Sequence, residues 1–192
     1  MAVRSSMTDL IAFVRLLIND PSSAANPSFT DEEIQSRLDM NCLRIKARNV
    51  DSEGTLQTNG FYKWIEFDAP LGFWETDVVL QRFEGTIVTP DVANYMTGVF
   101  TFTNGLNVDE LRITGQTYNV YGAAASLMQT MISSMRAQFS AFSVDGLNVQ
   151  NLYRASDMQK EVSALSAKAW GWGWPGEGHA AQIRLNRDDI RG

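Results

Sequence analysis

The chain has 192 residues, 44% of them hydrophobic, which suits a folded domain, or one domain with a smaller insertion, rather than a disordered chain. No apolar run approaches the roughly 20 residues of a membrane span, residues 1–9 lack the basic-then-apolar layout of a secretory signal, and the lone Cys42 permits no intrachain disulfide, so a soluble protein made in a cytoplasm is expected. The net charge of −6 sits mainly in residues 61–117, with 3 basic and 8 acidic groups; lacking the Lys/Arg cluster that displaces counterions, the chain is not expected to grip nucleic acid tightly.

The first helix is expected over Thr8–Ile18, where Leu10, Phe13, Val14 and Leu17 make one apolar stripe and Asp9 suits the positive end of the helix dipole. Pro21 stops it by disfavouring helical geometry in the residue before it. Phe29-Thr30-Asp31-Glu32-Glu33-Ile34 then combines a capping box, Thr30 with Glu33, and a hydrophobic staple, Phe29 with Ile34. The helix that follows is expected to run from about Thr30 to Arg48, with Ile34, Leu38, Cys42 and Ile45 on one face and Arg37, Arg44 and Arg48 opposite. Cys42 there packs as a small apolar residue.

In the middle the period changes. Residues 61–67, 76–80, 98–103 and 111–113 are rich in aromatic and β-branched side chains and predict short strands. Thr58-Asn59-Gly60 and Asn104-Gly105 are turn signals. Residues 55–116 therefore predict a small antiparallel β region inserted between helices 1–54 and 117–170. From Thr117 a long stripe returns through Tyr118, Tyr121, Ala125, Met128, Ile132, Met135 and Phe139, slim at Ala123-Ala124-Ala125. A break at 143–146 precedes a last helix over about Arg154–Trp170, with Met158, Val162, Leu165 and Ala169 in register. The expected fold class is thus α+β but mainly α: a helical bundle with a small β insertion and an extended tail over 171–192.

Catalytic residues, a metal site and a cofactor are not expected. His179 is the only histidine and lies in a glycine-rich segment, where little holds a catalytic or metal-binding group. Asp31, Glu32 and Glu33 are explained by the helix start, and Asp109-Glu110 and Asp188-Asp189 are adjacent pairs. Trp64, Phe67, Phe73 and Trp74 read most simply as core of the β region; a carbohydrate or partner surface is the sharper alternative. Trp170, Trp172 and Trp174, with Ile183 and Leu185 beyond them, form the candidate partner interface, because three large rings on one glycine-spaced stretch do not easily find burial in their own domain. Folding back onto the chain's own core is the other reading.

The pattern Leu10-Ile11-x-x-Val14-Arg15-x-Leu17-Ile18-x-Asp20, then Phe29-Thr30-Asp31-Glu32-Glu33-Ile34-x-x-x-Leu38-Asp39, resembles head–tail connector proteins of the adaptor type from tailed bacteriophages. So do Gly115-Gln116-Thr117-Tyr118-Asn119-Val120-Tyr121-Gly122-Ala123-Ala124-Ala125-x-Leu127 and Phe142-Ser143-Val144-Asp145-Gly146. The likeness covers residues 8 to about 170 in order. Asn119 stands where that pattern has an acidic residue, and the Trp-rich tail is not part of it. The resemblance implies a helical-bundle subunit forming a homo-oligomeric ring, commonly a dodecamer, in the virion. The ring would sit beneath the portal protein, seat the tail or a tail-side stopper or tail-completion protein, and surround a channel through which DNA passes without tight binding. Another phage structural protein and a carbohydrate-binding adhesin are the alternatives.

Overall fold

The computed structural model describes residues 2–21, 27–58, 60–140 and 147–170, with side chains of 136–140 and 147–154 outside the description. It divides into two compact units. The chain leaves the first after Asn41 and re-enters it at Asn119.

Four helices build the first unit: α1 (Thr8–Ile18), α2 (Asp31–Met40), α3 (Val120–Ser140) and α4 (Leu147–Trp170), preceded by a single 3-10 turn at Ser5–Met7. α1 has the expected bounds. Its buried face is Leu10, Ile11, Val14 and Ile18, so Ile11 and Ile18 replace the expected Phe13 and Leu17. It ends on Asn19 in the left-handed region (φ 52), whose N–H reaches the carbonyls of Arg15 and Leu16. α2 opens on the anticipated capping box of Thr30 and Glu33. α3 packs against α1, α2 and α4. Ala123 and Ala124 on it are fully buried, which lets neighbouring helices come close.

The second unit, residues 42–118, corrects the expected mainly-α bundle. It is a seven-stranded antiparallel sheet of order β4-β3-β7-β1-β2-β6-β5, which gives sheet and helices comparable weight. The strands are β1 (Cys42–Leu56), β2 (Tyr62–Asp68), β3 (Val79–Arg82), β4 (Ile87–Val88), β5 (Val92–Asn94), β6 (Val99–Leu106) and β7 (Leu111–Tyr118). The helix expected to Arg48 ends at Met40, and Cys42 and Ile45 lie on a strand. A bulge between Ile45 and Arg48, with Ala47 at φ 47, breaks the alternation that would have marked β1 in the sequence. Tyr118 likewise closes β7 instead of opening the long helix, and Asn104-Gly105 lies within β6 instead of forming a turn.

β1 changes partner along its length. Cys42–Val50 pairs with β7, and Asp51–Leu56 pairs with β2. Two halves, β4-β3-β7-β1 and β1-β2-β6-β5, thus share one bulged strand. Side chains from both meet in a single core that includes Ile45, Val50, Phe67, Trp74, Phe100 and Ile113. The segment from Ala69 to Trp74 is strapped to the β5–β6 turn by backbone hydrogen bonds at Ala69, Phe73 and Trp74. Gly98 (φ 83) permits that approach, since a Cβ there would lie 2.4 Å from the Leu71 carbonyl oxygen.

Candidate functional site

Arg15, Asp20, Phe29 and Asp31 form a lock between α1 and α2 around a buried guanidinium. Arg15, on the last turn of α1, is only 6% exposed. Its guanidinium makes five hydrogen bonds, matching its five N–H groups. Nε and Nη2 donate to Asp31 Oδ1 at 2.9 and 2.6 Å, Nη2 also to the Phe29 carbonyl, and Nη1 to the Asp20 carbonyl and Oδ2. Asp20 completes the loop by accepting from the backbone N–H groups of Ser28 and Phe29. Asp31 therefore serves both the helix start and a buried cation. Asp39 pairs with Arg4, tying the N-terminal segment to α2. The residues Arg15, Asp20, Phe29, Asp31 and Asp39 thus tie α1 to the start of α2 and the N-terminal segment to its end.

The start of α3 is a second junction. Asn119 accepts from the Gly122 N–H at 2.8 Å, capping the helix, while its own N–H donates to the Asn41 carbonyl. Its side-chain Nδ2 donates to the Ala169 carbonyl at 3.2 Å, satisfying one of the open carbonyls at the end of α4. An aspartate there would cap α3 equally well and could not make that last bond. Asn119→Asp is therefore expected to leave exchange protection in the first turn of α3 unchanged. It should speed amide exchange in the last turn of α4 about fivefold, the worth of one ordinary hydrogen bond; hydrogen-exchange mass spectrometry reads both.

Trp170 ends α4 and is 70% exposed. Trp172, Trp174, Ile183 and Leu185, with His179 and Asp188-Asp189, lie outside the described residues, as does the break at 143–146. In the sheet unit Phe67 and Trp74 are core, and the Trp74 indole N–H donates to the Leu71 carbonyl. Trp64 is half-buried, its ring over Gly54 and near Tyr62. Large apolar side chains stand exposed on both units: Leu16, Met40 and Trp170 on the helices, and Leu56, Phe61, Tyr62, Phe83 and Ile87 around the β1–β2 and β3–β4 hairpins. The guanidinium of Arg112 stacks on Phe83 at 4.3 Å.

Two arrangements had no legible signal in the sequence. Tyr118 donates to Glu75 Oε2 at 2.5 Å in a buried pair that joins residues 43 positions apart. Across β1 and β2, Asp51 faces Asp68 and Glu53 faces Glu66, two carboxylate pairs directly opposite each other. Register alone creates them. Cys42, half-buried, lies on β1, and Asp109-Glu110 are exposed before β7. Among the described residues no group of three or more His, Cys, Asp and Glu side chains is placed to hold a metal ion, and no helix is long and apolar enough to cross a membrane. The chain matches no family model, no curated protein and no solved structure.

Proposed function

We propose that this chain is a non-catalytic structural subunit of a tailed-phage virion, a head–tail connector that assembles into a ring between portal and tail. The observation that carries the reading is the ordered set of motif residues from Leu10 to Leu127 that resembles such adaptors. The structure gives that set a coherent physical role. Asp20, Phe29 and Asp31 close one network around the buried Arg15, and Asn119 ties the ends of α2 and α4 to the start of α3. The glycan-binding alternative is weakened, since two of its four candidate rings, Phe67 and Trp74, are buried.

In this reading the segment following Trp170 is the arm that reaches the portal or a tail-side protein, with Trp172 and Trp174 as anchors. The sheet unit's acidity keeps DNA from adhering as it passes. Ending the chain after Trp170 is expected to leave the remaining chain folded, as read by hydrogen exchange across both units, and to abolish head–tail joining in particles. Unchanged incorporation of the truncated chain would remove the arm assignment. Electron micrographs that locate the intact chain in the shell or along the tail would remove the connector reading itself.

A further inference from the structure

The solvent side of the sheet unit is electrically divided along one strand. Arg44 and Lys46 flank buried Ile45 on β1 and are both exposed. Arg112, opposite Asn49 and between buried Leu111 and Ile113, extends this basic patch onto β7. Arg48, exposed just past the bulge, is still basic, and the charge reverses only from Asp51 onward. Asp51 and Glu53 alternate with the inward side of β1, and register sets Asp68 and Glu66 opposite them, on either side of buried Phe67. Facing residues in such a ladder have Cβ atoms about 4.5–5.5 Å apart, and like charges there repel. Among the described residues no ion pair reaches Arg44, Lys46 or any of the four carboxylates. Asp68 Oδ1 is buried without a hydrogen-bond donor among those residues. Lys63, further along β2, gives its ammonium to the Asn104 carbonyl.

We propose that the acidic face of one copy, formed by Asp51, Glu53, Glu66 and Asp68, receives the basic face of a second copy, formed by Arg44, Lys46 and Arg112. This inference rests on the ring reading and names its subunit contact. A head-to-tail contact needs two different, complementary surfaces on every subunit, and a ring results when the rotation between copies closes. β1 carries both surfaces side by side within a dozen residues, an arrangement that a two-fold pair would equally satisfy; the ring reading selects the head-to-tail form. The repulsion stored in the ladder of a lone subunit is relieved when the neighbour's cations arrive, so association and charge balance are achieved together.

The test uses the full chain, followed by sedimentation velocity and native mass spectrometry at about 10 and 150 mM ionic strength, where charges are screened over about 30 and 8 Å. Self-association is expected, stronger at the lower salt. Reversing the acidic face (Asp51→Lys with Glu53→Lys) or the basic face (Arg44→Glu with Lys46→Glu) should weaken it at least about tenfold, the least that like charges set face to face impose. An equimolar mixture of the two variants, or one chain carrying all four substitutions, should restore it. At concentrations where both are monomeric, the neutral variant Asp51→Asn with Glu53→Gln should melt at a higher temperature than the parent, and at higher concentration it should associate more weakly, a signature that damaged folding would not produce. A parent chain that stays monomeric at both salt concentrations overturns the contact. So does association indifferent to the reversals, as expected if the acidic face only lines a DNA channel, and so does failure of the four-substitution chain to recover. If both reversal variants enter the neck of particles normally, the contact fails and the connector reading stands. If the charge-swap pattern holds in a protein that micrographs locate away from the neck, the connector reading fails and the contact stands.

Discussion

Arg15→Met is expected to destabilise the helical unit by about 3–5 kcal/mol, the usual cost of removing one partner from a buried ionic network. The substitution keeps the length of the side chain and removes every donor. Asp20, itself buried, loses its counter-ion and, among the described residues, keeps the Ser28 and Phe29 amides. The carbonyls of Asp20 and Phe29 lose the donor that Arg15 supplied. Asp31 suffers less, because its side chain is 48% exposed and water can replace the guanidinium. Lysine should not rescue the site: a compact ammonium with three donors cannot span Asp31, Phe29 and Asp20 as the planar guanidinium fork does. Denaturant unfolding gives the magnitude, and hydrogen exchange should localise the loss to α1, α2 and the connection between them. A loss under about 1 kcal/mol would mean that the network is rehydrated and holds little.

Trp74→Ala carries a similar expected cost, about 3–5 kcal/mol, on the sheet unit. The indole is 1% exposed, packs in the core shared by both sheet halves, and caps the Leu71 carbonyl with its N–H. Truncation leaves a cavity and an unpaired carbonyl where the strap from Ala69 to Trp74 meets β7 through the Trp74–Thr117 bridge. Exchange should quicken across β2, β6 and β7. Trp64→Ala should cost about 1–2 kcal/mol, since that ring is only half-buried. The pair of variants separates two views of these aromatics. If they line a glycan site, both changes abolish binding and leave the melting temperature nearly unmoved. If they are core, Trp74→Ala lowers it far more than Trp64→Ala.

Local signals were legible where the chain's own neighbours decide the structure. The bounds of α1, the capping box at Thr30 and the strands around residues 62–68 and 99–103 follow from capping chemistry, helical periodicity and β-branched content within a few residues. The weight of the sheet was not legible. Ile34, Leu38, Cys42 and Ile45 satisfy a helical stripe on paper, yet the last two sit on a strand whose alternation is interrupted by the bulge at Ala47. Only pairing with β7, more than 60 residues away, selects the extended form there.

By itself, then, the amino-acid sequence determined where helices can start and stop and which short segments favour extended backbone, because those outcomes depend on groups within one or two turns. Tertiary structure decided what the motif residues do. It gathered Asp20 and Asp31 around the buried Arg15, turned Asn119 toward the end of α4, and set carboxylate against carboxylate across β1 and β2. The physical reason is common to all three: hydrogen-bond closure and strand register are set by where separate segments meet, and no local propensity encodes that meeting.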